Sequence, residues 1–202
     1  MRHVSILPAA FYDRPVLEVA RNLLGKRLVR RLNGQRLAGI IVETEAYNGE
    51  EDLACHAKVG RTARTAVMYG PPGHAYVYFT YGMHWCLNCV AGPEGFPSAV
   101  LLRGIWPLEG ISSILERRAG KPLAQCCNGP AKLCQAFAID GRYNGVDLCS
   151  TDGDLWIEEA PSLPESWVQT GPRVGIASVP EPWRSIPWRF VAHIPDEKKG
   201  TL

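Results

Sequence analysis

The 202 residues, 46% hydrophobic and 21% charged, allow a sizeable buried core and argue against wholesale disorder. Every apolar run is broken by Arg, Glu, Pro or Gly short of the ~18 residues of a membrane span, and residues 1–15 lack the apolar segment and cleavage site of a signal peptide; a cytoplasmic protein without membrane association is therefore expected. The net charge of +2 hides a split, because residues 140–170 carry seven acids against one base and leave +8 on the rest of the chain.

Pro15, followed by Val16, Leu17, Ala20, Leu23 and Leu24 at helical spacing, predicts a helix with Pro15 in its first turn and Gly25 as its stop. "KRLVRRL" and "QRLAGIIVETE" flank Asn33-Gly34, a strong two-residue hairpin signal. Basic residues cluster here, at Lys26, Arg27, Arg30, Arg31 and Arg36, and again at Lys58, Arg61 and Arg64 within the polar stretch 48–65. Such clusters form either a polyanion-binding face or one of two solvated faces of opposite sign. "HAYVYFTY" and "WCLNCVA" predict a second hairpin around Gly82, and "SAVLLRGI" a further strand. "PLEGISSILERR" and "GPAKLCQAFAI" read as helices, the latter with Pro130 in its first turn, and "DLWIEE", "RVGIAS" and "WRFVAHI" as short strands. Helices and hairpins mix without βαβ alternation, which predicts a single α+β domain over residues 1–202 built on a mixed, mostly antiparallel sheet.

Glu43 and Glu45 lie two apart on the first hairpin's long strand and share a face, with Val42 and Thr44 on the other. A carboxylate at a strand end beside aromatics suits a general base, although spacing alone fits an exposed acidic strand end equally well. "YVYFTYGMHW" places Tyr76 and Tyr78 on one face and Tyr81, Gly82, Met83 and His84 at a tip. Tyr76 and Trp85 are expected in the core; Tyr81, beside a turn glycine, is expected to point outward, where it suits base stacking. A two-residue loop would put Asn88 on the face opposite Tyr78, whereas a three-residue loop or a bulge would place Tyr78 directly across from Asn88, so that both line one pocket. A bulge or odd loop near Gly82 is therefore expected. Arg103 ends an apolar strand and needs an acidic partner, Glu45 being one candidate, or a ligand. Seven cysteines make a disulfide framework improbable in a reducing compartment. "CLNC" at 86–89 has zinc-knuckle spacing, but on a strand its two thiols face opposite ways, so buried free thiols and no metal are expected.

"IVETEAY" (41–47), "AYVYFTYGMHWCLN" (75–88), "VLLRGIWPLEG" (100–110), "GPAKLCQA" (129–136) and "RVGI" (173–176), in that order, resemble the alkyladenine (3-methyladenine) DNA glycosylase family, the one distinct from helix-hairpin-helix glycosylases. The chain begins close to the shared core, as compact bacterial members do. The resemblance implies a curved sheet with surrounding helices and a hairpin that protrudes into the minor groove of double-stranded DNA. It also implies a monomer without cofactor that hydrolyses the N-glycosidic bond of flipped-out damaged purines such as 3-methyladenine, 7-methylguanine, hypoxanthine and 1,N6-ethenoadenine. By motif position, Glu45 is the base that activates water and Arg103 helps position it. Tyr47 and Tyr78 sandwich the base, the His56 region hydrogen-bonds it, Asn88 clashes with the 2-amino group of normal guanine, and Tyr81 with Gly82, Met83 and His84 enters the duplex. No lysine (26, 58, 121, 132, 198, 199) occupies those motifs as a nucleophile, so no lyase step is expected. His84 stands where relatives often carry an aromatic, and Cys55 and Lys58 where small residues are expected; these departures bear on substrate range. The alternatives are a catalytically silent damaged-DNA-binding protein, which would need neither Glu45 nor Arg103, and, more remotely, a zinc or redox protein.

Overall fold

The computed structural model describes residues 5–199. Two helices, α1 (Ala9–Tyr12) and α2 (Val16–Leu23), precede the hairpin β1 (Arg27–Leu32) and β2 (Gln35–Asn48). Pro15 caps α2 from just outside, in extended conformation, and Gly25 follows with a positive φ, so the start lies one residue later than the sequence suggests. Asn33 (φ 50) and Gly34 (φ 78) make the two-residue turn, with Leu32 opposite Gln35; both φ values are positive, the geometry whose twist matches the strands.

The second hairpin is β3 (Ala75–Thr80) and β4 (His84–Val90), followed by the long β5 (Ser98–Glu109). Residues 107–109 continue this strand instead of starting a helix, because Gly39, Ile40 and Ala38 of β2 pair with them and with Trp106. The helix α3 covers only Ile111–Arg117, and α4 (Leu123–Cys126) and α5 (Pro130–Phe137) follow, with Pro130 at the start of α5 as expected. The chain closes with β6 (Leu155–Glu158), β7 (Val168–Gly171), β8 (Arg189–Ala192) and α6 (Asp196–Lys199). "RVGIAS" forms no strand; Pro172 and Gly175 (φ 81) hold it as a loop.

All eight strands join one sheet ordered β3-β4-β5-β2-β1-β6, with β8 on β2 and β7 on β8. Every ladder between these strands is antiparallel, so the sheet is antiparallel rather than mixed. β2 is its spine. Its first half pairs with β1, its residues Glu43–Glu45 pair with β8, and β5 runs along its other edge through register shifts at Gly39, Glu43 and Thr44. Bulges of this kind bend a strand and raise its twist. The sheet curls far enough that residues 145–148 bridge its two ends, bonding Ala75 and Gly73 on one side and Ile157 on the other. Inside lies a core of Leu23, Leu28, Ile40, Ile41, Leu87, Leu102 and Phe137, all fully buried. α2 covers it over β2 and α5 over β4 and β5, while Ala38 packs with Val29, Trp156 and Ile6 in a separate cluster, so Leu37 to Ile41 of β2 are buried on both faces.

The charge split resolves into pairs. Lys26 meets Glu159, Arg30 meets Asp154 at 3.6 Å, and Arg36 holds both oxygens of buried Glu158 at 2.7 Å and Glu109 at 2.9 Å. The β1–β6 pairing brings residues 154–159 against the bases of the first hairpin, and the β2–β5 pairing brings Glu109. Three of the five bases of the first cluster are thus neutralised in ion pairs, while Arg31 is exposed over the Trp156 ring. Lys58, Arg61 and Arg64 have no carboxylate within ion-pair distance among the described residues.

Candidate active site

The face of β2 that carries Glu43 and Glu45 also carries Tyr47, and β5 sets Arg103 beside them. Gly104, next along β5, pairs with Glu43. A Cβ there would lie 3.1 Å from that of Glu43 and 3.3 Å from Val42, a crowding that would displace Glu43 from its arginines.

Glu45 is fully buried. Its Oε1 accepts the Val174 backbone N–H at 2.6 Å and lies 3.3 Å from Arg103 Nε; its Oε2 accepts the Tyr47 hydroxyl at 2.9 Å and Arg103 Nη1 at 3.4 Å. Glu43 sits between two cations, accepting Arg103 Nε at 3.0 Å and Arg189 Nε at 2.6 Å. Burial pushes the Glu45 carboxyl above the usual range and the neighbouring Glu43 adds to the rise, while Arg103, the Val174 amide and the Tyr47 hydroxyl restrain it. The result is a carboxylate more basic than an ordinary glutamate. Burial and the Glu45 charge drive the Tyr47 phenol well up, which keeps it a donor. Glu43 and Glu45 both engage Arg103, as a shared strand face requires.

In front of this group lies a cavity of about 360 Å³ lined by Tyr47, His56, Tyr76, Tyr78, Asn88 and Arg103, with residues 53–58 and the 174–179 loop completing its walls. Its size falls within the range of small-molecule sites. Glu45 is fully buried and is not itself among the lining residues, but its partners Tyr47, Arg103 and Val174 are. Tyr76 and Tyr78 lie 5.5 Å apart between ring centroids, and the His56 ring meets Tyr78 edge-on at 4.5 Å. Asn88 is buried and donates to the Tyr76 carbonyl at 2.9 Å.

The hairpin loop is the odd one expected. Tyr81-Gly82-Met83 joins Thr80 to His84 across three residues. The ladder this creates pairs Tyr78 with Cys86 and Tyr76 with Asn88, so the expected direct Tyr78–Asn88 pair is corrected by one step. The two remain diagonal neighbours on one face, and both line the cavity. Tyr81 is 83% exposed, at a positive φ of 50°, and Met83 is exposed beside it. A tyrosine in the left-handed region costs of order 1 kcal/mol or more, a strain typical of functional turns. Gly82 supplies φ 67° and His84 is exposed.

Several site residues lie outside the sequence-level selection. Val174 caps Glu45 from a loop expected to be a strand; Pro172 and Gly175 were the available warning. Tyr76, expected in the core, is buried, yet its hydroxyl bonds His56 Nδ1 at 2.9 Å and its ring lines the cavity. Asp52 and Arg173, both with fully buried side chains, form a bidentate pair at 2.5 and 2.9 Å. Arg173 also donates to the Ala46 carbonyl and lies over the rings of Tyr47 (4.7 Å) and Trp188 (5.1 Å), which fixes Tyr47 from behind. Lys58 reaches the cavity lining, with its ammonium on the Leu53 carbonyl at 2.9 Å. It lies outside the motif segments, and the 3-10 turn His56–Val59 carries it round to the rim.

His56 is held neutral. Burial lowers its pKa to about 4, with Arg64 and Lys58 adding to the shift. All seven cysteines are free thiols. Cys86 lines the cavity while Cys89 packs in the main core, so the two thiols of "CLNC" diverge. Burial pushes Cys55 and Cys127 up to about 12, and among the described residues no three His, Cys, Asp or Glu side chains gather as metal ligands. Nor does any described helix have the length and apolarity to cross a membrane.

Comparison with known sequences gives one consistent picture. Residues 10–195 match the methylpurine-DNA glycosylase family. A relative from Methanocella arvoryzae is 50% identical over 93% of this chain and 92% of its own length. Relatives from Carboxydothermus hydrogenoformans (48%, covering 92% and 94%) and Anaeromyxobacter dehalogenans (49%, covering 91% and 82%) are comparably similar. All three carry the name "Putative 3-methyladenine DNA glycosylase".

Proposed function

The chain belongs to the methylpurine-DNA glycosylase family, and on that premise we propose that it excises damaged purines from duplex DNA by hydrolysing the N-glycosidic bond. The observation that carries this reading is the buried, abnormally basic Glu45 held between Arg103 and the Val174 amide behind a base-sized aromatic cavity. Silent lesion binding would require the cavity but not such a carboxylate.

A stacked base hides its sugar C1′ from water, so the nucleotide must be extruded, at a cost of a few kcal/mol that is smallest for a lesion that pairs poorly. Tyr81, already outside the protein surface, fills the gap in the stack, and Gly82, Met83 and His84 accompany it into the minor groove. Tyr47 and Tyr78 stack on the flipped base, the His56 segment hydrogen-bonds it, and Asn88 disfavours undamaged guanine by collision with its 2-amino group, a penalty that 7-methylguanine offsets with its already weakened glycosidic bond. Glu45 takes a proton from a water placed beside Arg103. The water oxygen bonds to C1′ as the base departs with the electrons of the glycosidic bond. Positive charge gathering on the sugar is stabilised by the same carboxylate. Lys58 is exposed and bonded to a carbonyl, without the apolar enclosure that activates a Schiff-base lysine, so the reaction ends at the abasic site. Lys58 at the cavity lining, with Arg61 and Arg64 close in sequence and without carboxylate partners among the described residues, suits DNA phosphates. We assign the lesion range to 3-methyladenine, 7-methylguanine, hypoxanthine and 1,N6-ethenoadenine, and the working form to a cytoplasmic monomer.

Incubating the protein in excess with a duplex containing hypoxanthine or 3-methyladenine, followed by alkali, should reveal strand breaks at the lesion. Without alkali the strand should stay intact, and borohydride should trap no protein–DNA adduct. No abasic site from either lesion at low salt would overturn the enzymatic reading.

A further inference from the structure

The contacts around His56 bear on where its proton lies, and with it on which way a second side chain donates. His56 Nδ1 lies 2.9 Å from the Tyr76 hydroxyl, and His56 Nε2 lies 3.5 Å from Arg64 Nη2. A guanidinium has donors only. Even at the long distance of this contact, a cation facing Nε2 disfavours a proton there. The neutral ring therefore carries its proton on Nδ1 and donates it to the Tyr76 oxygen. The groups facing the ring are Tyr76 and Tyr78 of β3, Arg64 from the loop before residues 66–69, and Lys58 and Cys55 of its own segment. No carboxylate is among them to favour the doubly protonated form. The Tyr76 hydroxyl accepts from His56 and is also a hydrogen-bond partner of the Arg64 guanidinium; with donors on both sides it keeps its own proton for another partner, and Tyr76 lines the cavity.

We propose that Arg64, both directly and through His56, fixes the Tyr76 hydroxyl as a hydrogen-bond donor into the cavity, so that the site favours neutral lesion bases presenting an acceptor over cationic ones. Tyr76 is the specificity-determining contact and Arg64 a positioning residue. The proposal rests on the glycosylase reading for its substrate class. Two further observations support it. Arg64 also lies over the Tyr78 ring at 5.2 Å and Arg173 over the Tyr47 ring at 4.7 Å. Both rings assigned to stack on the base thus already have a guanidinium on a face, which weakens their attraction for a second cation. The cavity's other charged side chains, Arg103 and Lys58, are cations as well.

The test has two independent readouts on the full chain. Nitrogen-15 NMR of the imidazole should show neutral His56 protonated at Nδ1 in the free wild-type protein. Arg64→Met, which removes the donor facing Nε2, should move the proton toward Nε2 and let Tyr76 donate to Nδ1 instead. Single-turnover excision at saturating enzyme should then compare hypoxanthine, neutral with a carbonyl acceptor, with cationic 7-methylguanine. Tyr76→Phe should lower the hypoxanthine-to-7-methylguanine rate ratio by about tenfold, the loss expected for one hydrogen bond. Arg64→Met should lower the same ratio by a similar factor, and the double variant by no more than either single one, because the two act in series. A wild-type His56 protonated at Nε2, or a ratio unchanged within twofold in Tyr76→Phe, would overturn the proposal. Absence of excision of both lesions by the wild-type protein would instead refute the glycosylase reading and leave the NMR assignment standing.

Discussion

Two acid–arginine pairs, whose acids Glu45 and Asp52 lie seven residues apart along the chain, have opposite characters. Asp52 and Arg173 are closed: the carboxylate takes two guanidinium bonds plus the Asn48 and Ala54 amides, and the arginine also bonds the Ala46 carbonyl. Glu45 and Arg103 are open by contrast, because Arg103 also serves Glu43. The carboxylate is equally buried, but its arginine is shared with Glu43, and its contact distances spread from 2.6 to 3.4 Å. The difference teaches that burial of a charge pair does not by itself mark a functional site. What marks it is a carboxylate whose surroundings leave it more basic than usual, beside a cavity.

Breaking the closed pair should have the largest effect on stability. Arg173→Met leaves Asp52 charged and uncompensated, at a cost of about 3–5 kcal/mol; thermal denaturation should shift down by roughly 10 °C, and Tyr47 loses its backing. A Tm within 2 °C of wild type would remove the distinction between the two pairs. Glu45→Gln should do the reverse. Because burial raises the folded-state pKa of Glu45, its contribution to stability is greatest below the unfolded pKa and is lost as pH rises through the raised one. A neutral isostere therefore leaves the Tm at pH 7 unchanged or higher. The same sign governs the rate: excision needs the ionised form, so the acid limb of its pH profile should centre above the ordinary glutamate range. A limb at the usual carboxylate pKa would contradict the assignment.

Smaller effects separate the cavity from its approaches. Tyr81→Ala should weaken capture of lesion DNA by about 1–3 kcal/mol through lost stacking, measured as affinity for a lesion duplex; wild-type affinity would remove the wedge. Neutralising Lys58 or Arg61 should lower the slope of log affinity against log salt by about 1 each. Arg36→Met should leave that slope alone and cost stability instead, since Arg36 is paired with Glu158. If Arg36→Met lowered the slope and Lys58→Gln did not, the roles of the two basic clusters would be exchanged.

Much of the fold was legible because its signals are local. Asn33-Gly34 announces its turn, Pro130 its helix, and alternation places Glu43 and Glu45 together. The odd loop at Tyr81–Met83 was legible from the need to bring Asn88 and Tyr78 to one face, although the actual partner of Asn88 is Tyr76. What remained hidden depends on distant contacts. The extension of β5 through Glu109 is decided by pairing with β2, the neutralisation of Lys26, Arg30 and Arg36 by a strand more than a hundred residues away, and the Val174 cap on Glu45 by a loop whose sequence reads as a strand. No local pattern distinguishes Asp52, a deep structural acid, from the exposed Glu50 and Glu51 beside it.

The central claim is that Glu45 is the base of a glycosylase site. The most direct measurement is single-turnover excision by Glu45→Gln on a hypoxanthine duplex, with lesion affinity measured on the same preparation. Loss of excision by about three orders of magnitude or more, with affinity within a few-fold of wild type, is the predicted result. Excision at the wild-type rate would contradict it.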